Sequence, residues 1–261
     1  MLNFAAITPH SPLLIPAIGK ENAKKLEKTN NALRKLEENF YSAMIDDAVI
    51  ITPDNPPAEE YFTINFSPNY RGGFHEFGDF SIKPNYHGDD YLIAEVKDNL
   101  RDRNSLKLVT AEELGYRCLV PLNFLCAHKK NAGVVPLNPS GLSFGEHFKF
   151  GQELAEIIIN SKKRIALVAS IETSNKLSKN SPDGYSPKAK KFDQKIIDFI
   201  KEKKYRETSE TNPEQAAGAG FNEMSALLIF LGVLEKINHQ ADILSYESPF
   251  GVGNLTAEFK L

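Results

Sequence analysis

An imidazole and two carboxylates each follow an apolar run of the sequence. His10 lies in Thr8-Pro9-His10-Ser11-Pro12-Leu13-Leu14-Ile15-Pro16, Asp54 in Thr52-Pro53-Asp54-Asn55-Pro56-Pro57, and Glu172 in Ser170-Ile171-Glu172-Thr173-Ser174-Asn175. Imidazole nitrogen and carboxylate oxygen are both donors to divalent metals. Beside His10, Asp54 would form half of a metal site, and Glu172 could supply a third ligand. Each also has a plainer reading. Asp before Asn55 and two prolines forms turns, a glutamate in a loop is commonly solvated, and a histidine at a strand end is commonly just hydrogen-bonded.

The elements around these residues alternate between strand and helix. Asn3 to Thr8 reads as a first strand ending at Pro9, and Ala48 to Thr52 as a strand covered on both faces. Tyr61 to Phe66 alternates apolar and polar residues, the half-buried pattern. Arg164 to Ser170 is the clearest buried strand of the second half, and Ala241 to Tyr246 is another. Helices are expected over Glu21 to Met44, Asp90 to Leu100, Glu146 to Asn160, Pro187 to Lys203 and Asn222 to Lys236, the last the most apolar. Lys176 to Pro187, rich in Ser, Asn, Pro and Gly, is a loop. The pattern predicts an α/β fold, a mostly parallel central sheet with helices on both faces, in a single domain over residues 1–261. In such sheets ligands collect beyond the carboxyl ends of the strands, where His10, Asp54 and Glu172 stand.

Composition removes several function classes. With 41% hydrophobic and 25% charged residues the chain can bury a sizeable core, so bulk disorder is excluded. A net charge of -3 gives no global basic field for nucleic acid. The lysines of 188–204 are interrupted by Asp193, Asp198 and Glu202 and read as a solvated helix face. Cys118 and Cys126 make neither a disulfide framework nor a zinc site, which fits a reducing cytosol. The N-terminus lacks a basic leader, and Met224 to Leu234 is too short to span a bilayer, so a cytoplasmic protein without a membrane partner is expected. His75, His87, His128, His147 and His239 show no metal spacing and read as structural or exposed. Gly218, Gly220, Gly251 and Gly253 do not form a phosphate cradle, and no Gly-x-Ser-x-Gly nucleophile motif occurs.

Six segments, in order, resemble the catalytic-subunit family of class III extradiol ring-cleavage dioxygenases, whose relatives include the Memo-like proteins. They are Pro9 to Pro16, Gly88-Asp89-Asp90, Val120-Pro121-Leu122, Leu167 to Ser170, Ser181 to Tyr185 with Phe192-Asp193, and Leu244 to Gly253. The resemblance implies aromatic ring opening on a non-heme Fe(II) held by two histidines and a carboxylate, with a further histidine as acid/base.

Carried over position by position, the resemblance keeps His10 as the first metal histidine. Asp54 replaces the second, Tyr116 replaces a histidine before the Val-Pro-Leu run, and Asn175 occupies the acid/base position, where an amide has no proton to exchange. Gly218 falls near the metal carboxylate position, and Glu223 or Glu214 could reach inward, although neither fits the spacing. The resemblance therefore implies a scaffold that has shed iron-dependent ring cleavage, with Fe(II) absent and no other cofactor-binding residues. Such a protein would be a binding protein or the non-catalytic partner of a related catalytic chain, with a homodimer or an aromatic small molecule as further expectations. The alternative is an active dioxygenase with a rebuilt ligand set on His10 and Asp54, joined by Glu172.

Overall fold

The computed structural model describes residues 1–54, 60–100, 105–129 and 131–261. Its strands are β1 (Leu2–Thr8), β2 (Asp47–Ile51), β3 (Phe62–Asn65), β4 (Asn69–Arg71), β5 (Asn85–Gly88), β6 (Leu106–Val109), β7 (Gly133–Asn138), β8 (Ile165–Ser170), β9 (Gln240–Glu247) and β10 (Asn254–Lys260). Its α-helices are α1 (Pro16–Gly19), α2 (Glu27–Ser42), α3 (Asp90–Asn99), α4 (Tyr116–Leu125), α5 (Phe144–Asn160), α6 (Ala189–Lys201), α7 (Tyr205–Ser209), α8 (Pro213–Ala219) and α9 (Met224–Glu235).

The strands join in one sheet of order β4-β5-β7-β2-β8-β1-β10-β9, with β3 also on β7 and β6 on β3. The centre is parallel: β5, β7, β2, β8 and β1 all run the same way, and β3 and β6 are parallel to each other. Antiparallel pairs close the sheet on both sides, at β1–β10–β9, β3–β7 and β4–β5. Alternate residues of the central strands feed two cores. Phe4, Ala6, Ile50 and Val168 pack toward α2 and α4, whereas Ala5, Ile7, Ile51 and Leu167 pack toward α3, α5 and α9. Burial on both faces explains why these strands are apolar at successive positions.

Three expectations shift. The helix expected from Glu21 is a tight 3₁₀ stretch over Lys20–Leu26 before α2 begins. The expected Pro187 to Lys203 helix narrows to Ala189–Lys201. The strand expected to be half-buried, Tyr61 to Phe66, is buried at every residue of β3. One face carries Phe62, stacked on Phe150 at 4.1 Å. On the other, Asn65 is enclosed by the backbone of Ala111, accepting from its N–H at 2.9 Å and donating to its carbonyl at 2.8 Å. Asn55, Pro56 and Pro57, read as a turn, lie outside the described residues.

The apolar helix α9 is placed by a close crossing with α5. A Cβ on Gly232 would fall 2.2 Å from the Phe148 carbonyl oxygen, and one on Gly151 would fall 2.1 Å from that of Ile229. Only glycine at both positions allows the two backbones this approach. At the opposite edge of the sheet the Arg164 guanidinium clamps Asp46, with Nη2 donating to Oδ1 at 2.5 Å and Nε to Oδ2 at 3.0 Å.

Two outcomes follow for stability. Gly232→Ala should cost about 1–3 kcal/mol, the usual penalty for forcing extra volume into a packed interior. A denaturation midpoint equal to wild type would show that the helices do not meet at these glycines. Arg164 holds the Asp46 carboxyl down at about 2, against about 3.9 in an unfolded chain. Because the folded value is the lower one, this pair's contribution is present above about pH 4 and is lost as pH falls toward about 2. Asp46→Asn should flatten that acid limb in denaturation measured at graded pH.

Candidate functional site

The parallel register brings three strand ends to one place. Thr8 lies opposite Ser170, while Ile51 and Ile7 both lie opposite Ala169. The residues just beyond, His10, Asp54 and Glu172, therefore emerge together at the carboxyl edge of the sheet. Two helix starts join them. Gly115, Tyr116 and Arg117 open α4, and Glu223 immediately precedes α9.

His10 is 1% exposed. Its Nδ1 is 3.2 Å from the Ser170 hydroxyl. On the other side of the ring, Nε2 is 3.4 Å from Glu223 Oε1 and 4.0 Å from Glu172 Oε2. Tyr116 stands edge-on to the imidazole with ring centroids 5.9 Å apart, and Phe77 stands edge-on to Tyr116 at 5.1 Å. Glu223 is the hub of the group. Its Oε2 accepts the Glu172 backbone N–H at 2.6 Å, and its Oε1 lies 3.8 Å from Arg117 Nε. The Arg117 guanidinium sits over the Tyr116 ring at 4.9 Å.

Burial strains the charges of this group, and their mutual attraction relieves the strain. Burial is the largest influence on His10 and favours the neutral ring, yet Glu223 and Glu172 together outweigh it, so its pKa is raised despite opposition from Arg117. Burial lifts the Glu172 carboxyl, with His10 and Arg117 pulling it back. Burial likewise lifts Asp54, opposed by Thr52, Arg117 and His10. Asp54 also lies hard against the start of α4, since a Cβ on Gly115 would fall 2.5 Å from its Oδ1. The first turn of a helix favours an anion there.

The loop that carries Glu172 is held by another buried carboxylate. Asp193 is fully buried and accepts from Thr173 Oγ1 at 2.7 Å, the Ser174 N–H at 3.0 Å, Ser174 Oγ at 2.5 Å and the Tyr246 hydroxyl at 2.6 Å. One side chain from α6 thus pins the loop after β8 and ties it to β9. Asn175, four residues beyond the Glu172 position's preceding isoleucine, faces elsewhere. Its amide donates to Asp183 Oδ2 at 2.7 Å, and its backbone N–H donates to the Gly220 carbonyl at 3.1 Å.

The structure therefore gathers His10, Asp54, Glu172 and Tyr116 and turns the Asn175 side chain to Asp183. It also corrects the register at the start of α9, because Glu223, out of step by residue count, reaches His10, and Gly218 is not the residue that does. Its position directly before a predominantly apolar helix is the available signal. Arg117 was missed, its only mark being adjacency to Tyr116. The remaining histidines are structural or exposed. His147 is held at Ser143 O (2.8 Å), His239 between Ile237 O (2.7 Å) and Tyr205 (2.6 Å), and His128 is an exposed partner of Glu37.

The site lies at the carboxyl edge of a two-sided α/β sheet, and over residues 4–257 the sequence matches a known family. The chain belongs to the family described as the catalytic LigB subunit of aromatic ring-opening dioxygenase. It is 24% identical to Protein CA_C1420 of Clostridium acetobutylicum over 262 residues, 97% of this chain and 56% of that protein, so it spans about half the length of this curated relative. The crystal structure of the uncharacterized protein JW3007 from Escherichia coli K12 shares the fold, with a TM-score of 0.64, 15% identity and 98% of each chain covered.

Asp193→Asn should leave hydroxyl and amide donors facing an NH₂ group, with a cost of about 1–3 kcal/mol or more. Hydrogen exchange should quicken at Thr173 and Ser174. Unchanged protection at these amides would remove Asp193 as the anchor of the loop.

Proposed function

We propose that this LigB-family chain has lost iron-dependent ring cleavage and acts as a binding protein or as the non-catalytic partner of a related catalytic chain. The observation that carries the reading is that the Nε2 side of His10 is met by Glu223 and Glu172, with the Arg117 cation beside them.

The donor set does not fit the family's iron. Fe(II) chemistry of this type rests on two imidazoles and one carboxylate that leave open positions, and His10 is the imidazole of this cluster. Among the described residues, no group of three or more His, Cys, Asp or Glu is arranged to hold a metal ion. The guanidinium 3.8 Å from Glu223 adds repulsion against a divalent cation in the same place. The acid/base position supports the same reading, since Asn175 has no proton to exchange and its amide is engaged by Asp183.

What this arrangement can do is recognise. A raised-pKa imidazole, a stacked guanidinium and the Tyr116 and Phe77 rings offer charge and aromatic faces to a small aromatic ligand. The partner we propose is a related catalytic chain or a second copy of this one. Among the described residues no helix is long and apolar enough to cross a membrane. Cys118 and Cys126 are free and buried, in keeping with the proposed cytoplasmic setting.

Anaerobic titration of metal-stripped protein with Fe(II), followed by gel filtration, metal analysis and a catechol turnover assay, tests the proposal. We expect no stoichiometric retention of iron and no ring-opened product. One iron retained per chain together with catechol turnover would overturn it in favour of the rebuilt ligand set on His10 and Asp54, and His10→Ala should then abolish retention.

A further inference from the structure

Three carboxylates gather at this site, and carboxylates so enclosed need a cation close by. Glu223 and Glu172 flank His10, and Asp54 lies against the start of α4. The fixed positive charge among these contacts is Arg117. Its Nε stands 3.8 Å from Glu223 Oε1, beyond hydrogen-bonding range, and that buried Nε has no hydrogen-bond partner. The guanidinium rests on the Tyr116 ring instead, 4.9 Å from its centroid. What Arg117 gives the site is therefore charge without a directed bond. That charge also acts on Asp54 and Glu172, in each case favouring the ionised form.

The donor atoms beside it are spaced much as a metal would hold them. Nitrogen and oxygen ligands about 2.1 Å from a tetrahedral ion lie roughly 3.4 Å from one another. His10 Nε2 and Glu223 Oε1 are 3.4 Å apart, whereas Nε2 and Glu172 Oε2 are 4.0 Å apart. With Arg117 in place the group falls short of a metal site, the Glu172 oxygen standing too far back.

From this arrangement we infer that Arg117 is the built-in counter-cation of the site. Its guanidinium supplies Glu223 and Glu172 with the positive charge that a divalent ion would bring, and it keeps such an ion out. This role rests on the proposed loss of iron and names the residue that maintains it. Two consequences separate charge from shape. Lysine at position 117 keeps the charge and should serve. Methionine fills similar space without charge, and should leave one imidazole and two carboxylates open to a metal of the zinc type.

Co(II) titration of metal-stripped wild type, Arg117→Met and Arg117→Lys, read by visible absorption and by metal analysis after gel filtration, tests the role. Arg117→Met should bind Co(II) about tenfold more tightly than wild type, or better. Adding His10→Ala should abolish the gain, and Arg117→Lys should match wild type. Without metal, Arg117→Met should melt below wild type. Excess Co(II) should raise its midpoint while leaving wild type and Arg117→Lys unmoved, because a ligand of the folded state stabilises it. Folded Arg117→Met, judged by circular dichroism, that binds Co(II) no better than wild type overturns the proposal. So does Arg117→Lys binding as tightly as Arg117→Met, or a gain that survives His10→Ala. Arg117→Gln takes the place of Arg117→Met under the same criteria if the latter does not fold. Wild-type protein that retains Fe(II) and turns over catechol would instead overturn the loss of ring cleavage, so the two failures are read separately.

Discussion

The site depends on a buried imidazole set between a hydroxyl and a carboxylate. Taking a histidine out of water favours its uncharged state, and the opposing carboxylates must overcome that preference for charge to persist. Here Glu223 and Glu172 do so for His10, and in return His10 and Arg117 moderate the burial of Glu172. Neither side of the exchange would be tolerable alone. The geometry that makes it work comes from three parallel strands ending level with one another, which places residues distant in sequence within hydrogen-bonding range at the edge of the sheet.

Support for this group comes from layers that do not touch a ligand. Asp193 accepts the Thr173 hydroxyl and both the N–H and hydroxyl of Ser174 in the loop carrying Glu172, joining α6 and β9 to the end of β8. Gly151 and Gly232 set the depth at which α9 lies, and with it the position of Glu223. Gly115 leaves room for the Asp54 carboxylate against the start of α4. A buried polar group of this kind is rigid when all its partners are in place.

How much of this could be read from the sequence varied with how local the signal was. β1, β2 and β8 announce themselves by unbroken apolar runs, and so the convergence of His10, Asp54 and Glu172 at strand ends follows from pattern alone. Proline misleads twice. Pro136 lies within β7 and Pro121 within α4, and each argues locally against the element that forms. Tertiary pairing overrides both: β7 is anchored by β2 along its length, and α4 packs its Cys118, Leu119 and Leu122 into a core. Glu223 is legible in sequence only as one of two glutamates that could reach inward, because residue counting across the short helices α7 and α8 does not preserve register, whereas its place at the mouth of an apolar helix does. Arg117 has no sequence signal, because its role arises from two side chains, Tyr116 and Glu223, that only folding brings near it.

The crossing of α5 and α9 ties evolution of the interior to evolution of the pocket. A helix pair in contact through bare backbone has no flexible side chains to absorb a change of size. A methyl group gained at that junction has to be accommodated by sliding one whole cylinder, and the hub carboxylate stands at the start of that cylinder. Drift in the hydrophobic interior of this protein is therefore registered first as altered chemistry at the rim, far from the residue that changed.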